Sequence, residues 1–251
     1  MNNYKAILFD STQCVGCGEC YLACKSKNNL PATSNDPLKD HLSCKTYTVI
    51  EEYGDSYARK MCMHCIEPTC VSVCPVGAFT KTNDGPVVYD ADKCLGCRYC
   101  MQACPHHIPR YEWSNVAPKV TKCTMCSDRV SKGEVTACTE ACPTGATIFG
   151  SREEMIKVAR ERIKNDPETY YPQIYGLKEA GGTSVLVLAS SPFDQLGFAT
   201  NLPLDPLSNY TAKALEKIPS VIGVGGVFLT GMYWLTKRKN EIAKEEKENK
   251  N

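Results

Sequence analysis

The sequence predicts an α+β protein that ends in a single transmembrane helix. Three observations carry this expectation. Sixteen cysteines fall into four groups of four between Cys14 and Cys142. An amphipathic helix pattern and then an apolar strand pattern follow them. Near the end, Ile218 to Leu235 form 18 residues without a charge.

Composition bounds the problem first. The chain has 251 residues, 43% hydrophobic and 23% charged, enough for one or two domains with real cores. A net charge of +1 argues against a nucleic-acid partner, because phosphate-binding domains carry a basic excess.

The cysteine groups come next. "CVGCGECYLACK" holds Cys14, Cys17, Cys20 and Cys24, and "CMHCIEPTCVSVCP" holds Cys62, Cys65, Cys70 and Cys74. "CLGCRYCMQACP" holds Cys94, Cys97, Cys100 and Cys104, and "CTMCSDRVSKGEVTACTEACP" holds Cys123, Cys126, Cys138 and Cys142. Each group opens with CxxC and closes with CxxxC, and three are followed by proline, so the pattern is an internal repeat.

Disulfides, zinc and iron-sulfur clusters compete for such a repeat. The start "MNNYKAILFDSTQC" has no cleavable-signal pattern, so the chain is expected to begin life among reduced thiols, which disfavours disulfides. Structural zinc takes two distant CxxC pairs and often adds histidine. The first and third groups are instead CxxCxxCxxxC, the run that bacterial ferredoxins use for [4Fe-4S] clusters. Three thiolates two residues apart can wrap one cubane, and the fourth, past a short helical turn, points to a neighbouring cluster. Proline then ends the turn, since it lacks the donor a helix needs.

Other residues fit that reading. Gly16, Gly18 and Gly96 let the backbone approach inorganic sulfide closely. Cys44, outside every group, is expected to be a buried hydrophobe in a strand. His64, His106 and His107 adjoin cysteines but are expected to be hydrogen-bond donors or packing residues, because each group already supplies four thiolates.

Beyond the cysteines, "KSKNNLP", "HHIPRYEW", "PKVTKCTMCSDR", "ACTEACPTGATIFG" and "YGLKEAGGTSVLVL" resemble the iron-sulfur (beta) subunits of membrane-bound formate dehydrogenases and uptake hydrogenases. The resemblance runs from about Ser11 to the end of the apolar segment. It implies two nested ferredoxin-like 2[4Fe-4S] modules. One would be built from residues 1–60 and 105–150, with the first and fourth runs, and the other from residues 61–104, with the second and third. It also implies four [4Fe-4S] clusters, held by Cys14, Cys17, Cys20 and Cys142; by Cys123, Cys126, Cys138 and Cys24; by Cys62, Cys65, Cys70 and Cys104; and by Cys94, Cys97, Cys100 and Cys74. Lys25 stands where the other runs have proline, which the family also tends to do.

Residues 151–216 are expected to be scaffold. "SREEMIKVARERIKNDPE" reads as a helix opened by a Ser151 to Glu154 capping box and stopped before Pro167. "TSVLVLAS" has strand length. The ferredoxin modules have small cores, so the chain without metal is expected to be largely unfolded.

The transmembrane helix is expected over residues 217–236. Its 18 uncharged residues would span about 27 Å as a helix, close to the hydrocarbon thickness of a bilayer. Pro219 suits its start, and Tyr233 and Trp234 suit an interface. Gly223, Gly226 and Thr230 recur at helical spacing and leave a flat face for another membrane helix. Lys237, Arg238 and Lys239 outweigh Lys217, which places the C-terminus in the cytoplasm and the cysteine domain on the periplasmic side. No twin-arginine signal opens the sequence, so export would have to occur together with a signal-bearing partner. Residues 237–251 read as a charged cytoplasmic tail, of which "NEIAKEEKENKN" is expected to be solvated and frayed.

No nucleophile elbow, phosphate loop or HExxH motif is present, and four-thiolate ligation leaves no open iron position for substrate. The expectation is therefore a non-catalytic electron-transfer subunit in the cell inner membrane. The resemblance implies a catalytic partner with molybdenum or tungsten pterin, or nickel-iron, and a membrane partner that is a cytochrome b or a haem-free quinone-binding subunit. The alternatives are a subunit of a polysulfide- or sulfoxide-type molybdopterin reductase, a free-standing polyferredoxin, and a zinc-stabilised interaction module.

Overall fold

A computed structural model describes residues 4–114 and 119–248. In chain order the elements are β1 (Lys5–Asp10), α1 (Glu19–Lys27), β2 (Thr48–Tyr53), β3 (Ser56–Met61), α2 (Thr69–Ser72), β4 (Phe79–Lys81), β5 (Val87–Tyr89) and α3 (Tyr99–Gln102). They continue with β6 (Arg110–Tyr111), β7 (Val120–Thr121), α4 (Ser127–Val130), α5 (Ala137–Glu140), β8 (Thr147–Ser151), α6 (Arg152–Asn165), β9 (Val185–Leu188), α7 (Leu207–Leu215) and α8 (Ile218–Glu248). Contacts divide the chain into a unit ending at Leu207 and a second from Ser208 onward.

In the first unit, β1 is the middle strand of a three-stranded sheet. It pairs antiparallel with β8, Lys5 opposite Ser151, and parallel with β9, Ile7 opposite Val185. Both faces of this sheet are covered, which is why β1 and β9 read as continuous apolar runs. Ile7, Phe9, Val185 and Val187 face a core shared with Ile50, Met61, Met125 and Tyr175. Ala6, Leu8, Leu186 and Leu188 face Met155 and Ala159 of α6.

Helix α6 begins as its capping box predicts, with the Glu154 N–H donating to the Ser151 hydroxyl at 3.2 Å. At its far end the Arg162 guanidinium donates to the buried Asp10 carboxylate at 2.6 Å, and the Tyr170 hydroxyl donates to the same oxygen at 2.8 Å. Three hairpins separate the cysteine groups: β2 with β3, β4 with β5, and β6 with β7.

One expectation inside this unit is corrected. Cys44 is half-buried in a two-residue turn closed by Ser43 and Thr46, which exchange both backbone hydrogen bonds at 3.1 Å, and is not in a strand. The local pairing of Ser43 with Thr46 outcompetes the apolar pattern there.

In the second unit, α8 contains a span long and apolar enough to cross a membrane, and none of it is buried within the protein. The expected frayed tail is also corrected, because α8 continues to Glu248. Residues 240–248 are rich in glutamate and lysine, which favour a helix, and Lys237 lies 4.0 Å from Glu241 one turn on. Residues 249–251 of that tail lie outside the described residues.

Candidate iron-sulfur centre

The third and fourth cysteines of every group sit on or beside a short helix. Cys20 and Cys24 lie on α1, Cys70 on α2, Cys100 on α3 and Cys138 on α5. Pro75, Pro105 and Pro143 follow the last three groups, and those helices are four residues long. With Lys25 in place of proline, α1 runs nine residues.

The CxxC loops repeat one conformation. The residue before the second cysteine is left-handed in all four: Gly16 at φ 67°, His64 at 47°, Gly96 at 75° and Met125 at 54°. For His64 and Met125 this costs roughly 1–2 kcal/mol each. The turn points backbone donors at sulfur: the Met125 N–H reaches Cys123 Sγ at 3.2 Å, and the Gly96 N–H reaches Cys94 Sγ at 3.4 Å. Gly16 has a further reason to be glycine, since a Cβ there would stand 2.5 Å from the Tyr57 ring.

The groups exchange members in space. One cavity is lined by Cys14, Cys17 and Cys20 of the first run and by Cys142 of the fourth. A second is lined by Cys123, Cys126 and Cys138 of the fourth run and by Cys24 of the first. Burial, and then the like charges of Cys62, Cys104 and Cys70, push the Cys65 thiol up. Burial, followed by Cys94, Cys97 and Cys74, pushes the Cys100 thiol up to about 12. Cys104 of the third run thus neighbours the second, and Cys74 of the second neighbours the third.

These arrays suit an iron-sulfur cluster. The buried thiols among them, Cys20, Cys24, Cys100, Cys123 and Cys138, repel their neighbours and cannot all ionise unless a multivalent cation neutralises them. Among the described residues, no three His, Cys, Asp or Glu side chains gather as closely as a single metal ion needs. A cluster of several metal and sulfide atoms holds its cysteines farther apart than one zinc ion does, which fits these arrays.

The histidines stand beside these arrays. His64 is fully buried, and its Nδ1 accepts the Val87 N–H at 2.8 Å. His106 places Nδ1 3.3 Å from the Tyr175 hydroxyl. His107 is left-handed at φ 51°, with its N–H donating to the Cys104 carbonyl at 3.1 Å.

Sequence reasoning missed the cations that turn inward, Arg59 and Lys122 buried and Lys81 half-buried. The Lys81 ammonium donates to the carbonyls of His64 and Cys65 at 3.1 and 2.8 Å, and Lys122 donates to the Cys123 carbonyl at 3.0 Å. Arg59 lines the second cavity. The only available signal was a basic residue in an otherwise strand-like stretch next to a cysteine run, which surface strands share.

Residues 55–152 match the 4Fe-4S dicluster domain, so the fold and the cysteine arrays define a protein of that iron-sulfur class. Three relatives narrow the class. The hydrogenase-2 operon protein HybA of Escherichia coli O157:H7 is 39% identical over 80% of this chain and 74% of its own length. The formate dehydrogenase iron-sulfur subunit of Haemophilus influenzae is 35% identical over 89% and 77%. The formate dehydrogenase-O iron-sulfur subunit of Escherichia coli K12 is 32% identical over 91% and 81%. The chain belongs to the family of HybA and the formate dehydrogenase iron-sulfur subunits.

Proposed function

We propose that this chain is the electron-transfer subunit of a membrane-bound respiratory oxidoreductase. It relays electrons through four [4Fe-4S] clusters between a catalytic subunit of formate dehydrogenase or hydrogenase type and a quinone-linked membrane subunit. The observation that carries the reading is the exchange of fourth cysteines between runs, with Cys142 beside Cys14, Cys17 and Cys20, and Cys24 beside Cys123, Cys126 and Cys138. The names of the relatives support the choice of catalytic partner.

The ligand sets follow those neighbourhoods. Cys14, Cys17, Cys20 and Cys142 hold one cluster, and Cys123, Cys126, Cys138 and Cys24 its neighbour. Cys62, Cys65, Cys70 and Cys104 hold the third, and Cys94, Cys97, Cys100 and Cys74 the fourth. Two chain pairings support two nested modules. β1 and β8 join the start of the first run to the end of the fourth, and the β4–β5 hairpin joins the second run to the third. When bound, the clusters supply one-electron carriers. The chain's own residues hold them, exclude water and aim N–H donors at sulfur.

The apolar part of α8 supports a single pass through the cell inner membrane. Lys237, Arg238 and Lys239 support a cytoplasmic C-terminus with the cysteine domain on the periplasmic side. Protease treatment of intact spheroplasts tests the orientation, and protection of the cysteine domain would overturn it.

The function is tested on the complex isolated anaerobically from membranes. Formate or hydrogen is expected to reduce the clusters, and a quinone analogue to reoxidise them. The purified chain is expected to be brown and to contain about sixteen irons, four per cluster. A colourless chain with bound zinc would refute the reading.

A further inference from the structure

Arg59 lies on β3 and is 3% exposed, with its guanidinium in the interior. A guanidinium stays charged at any relevant pH, so it cannot escape burial by losing a proton. Its Nε donates to the Thr48 hydroxyl at 3.0 Å and its Nη1 to the Thr147 hydroxyl at 3.5 Å. Those partners are neutral. Among the described residues, no carboxylate comes within ion-pair distance of it. A buried charge left without a counter-charge is strongly destabilising, so the balancing anion must be sought elsewhere.

The surrounding sulfurs identify it. Arg59 lines the cavity of Cys24, Cys123, Cys126 and Cys138. Its Nη1 hydrogen bond leads toward the cavity of Cys14, Cys17, Cys20 and Cys142. Thr147, which accepts from Nη1, lines that other cavity. One cation therefore adjoins both arrays of the first and fourth runs.

We infer that Arg59 is the shared buried counter-charge of these two iron-sulfur sites and raises the reduction potential of both. Each cluster becomes more negative when it accepts an electron, and a fixed positive charge between the two stabilises the reduced form of each. Arg59 is thus a positioning and tuning residue that binds no iron. The inference rests on the four-cluster reading above.

The test is an EPR-monitored redox titration of the full chain in detergent, reconstituted anaerobically with iron and sulfide. Wild type is measured first. If it does not take up four clusters, the four-cluster reading fails, independently of Arg59. Given four clusters, Cys17→Ser and Cys126→Ser identify the signals of the two sites beside Arg59. Arg59→Gln is expected to lower the reduction equilibrium constant of those two clusters at least tenfold, about 59 mV each for one-electron couples. The other two are expected to stay in place. Arg59→Lys, which keeps the charge, is expected to restore most of the shift. If Arg59→Gln fails to retain iron while Arg59→Lys retains it, the requirement for charge is equally supported. Unmoved potentials in Arg59→Gln, equal shifts in the glutamine and lysine variants, or equal loss of iron in both would overturn the inference.

Discussion

The Nζ of Lys25 lies 3.6 Å from Oδ2 of Asp40, with both side chains close to full burial. The same ammonium donates to the Pro31 carbonyl at 2.9 Å, the Thr33 hydroxyl at 2.6 Å, and the Lys45 carbonyl and Thr46 hydroxyl at 3.0 Å each. Lys25 immediately follows Cys24, where the other three runs have proline. It pins the stretch between the first run and β2 against the first cysteine helix. Lys25→Met would leave the buried Asp40 without its cation and is expected to cost about 3–5 kcal/mol. The check is a guanidinium titration read by the visible absorbance of the clusters, and an unchanged midpoint would count against it.

Asp40 also predicts a pH dependence. Burial alone would raise its pKa, but hydrogen bonds from the Thr33 and Tyr21 hydroxyls, the His41 N–H and the Thr46 hydroxyl outweigh it and hold the carboxyl at about 2, below the ordinary 3.8. Because the folded value is depressed, the stabilisation is fully present above pH about 4 and is lost as pH falls toward 2. Acid-jump bleaching of the wild type is therefore expected to steepen across that window. Asp40→Asn should bleach faster near neutrality and show a shallower dependence between pH 4 and 2. Parallel profiles for the two proteins would contradict the assignment.

Gly16 combines a left-handed backbone with a wall of Tyr57 2.5 Å from where a Cβ would stand. Gly16→Ala is expected to disturb the first cysteine loop and lower iron content. Adding Tyr57→Leu should restore part of it, leaving the backbone cost of roughly 1–2 kcal/mol. If the second substitution rescues nothing, the ring is not the obstacle.

Two changes at opposite ends of α6 should differ in size. Ser151→Ala removes the cap that accepts the Glu154 N–H and is expected to cost about 1 kcal/mol. Asp10→Ala strands the Arg162 guanidinium and the Tyr170 hydroxyl and is expected to cost about 3–5 kcal/mol. Denaturation midpoints of the two variants rank them directly.

In α8 a Cβ at Gly223 or Gly226 would meet nothing within 4 Å. Gly226→Leu is therefore expected to leave iron content unchanged while weakening co-purification with a membrane subunit. Retained co-purification would show that this face is not the one used.

Much of the candidate site was legible because its determinants are local. The CxxC and CxxxC spacings, the helix-ending prolines, the Ser151 cap and the apolar run of β9 each act within a few residues, and each appears in the structure. Cys44 was misread because a turn of four residues overrode a weak apolar pattern. The tail after Lys239 was misread because charge run and helix propensity point opposite ways, and propensity prevailed. Arg59, Lys81 and Lys122 were invisible because nothing in a basic residue's neighbours along the chain reports that it turns inward.

By itself the sequence determined the iron-sulfur class of this protein: cysteines in repeating short loops, and an uncharged helix long enough for a bilayer. In the first and third runs the spacing keeps three sulfurs together, since two residues of chain cannot separate them. Only the tertiary structure decided which distant sulfur completes each array and which cations lie between arrays. Cys142 comes beside Cys14 because β1 and β8 pair in register, Lys5 opposite Ser151, and such long-range closure depends on the packing of the whole sheet.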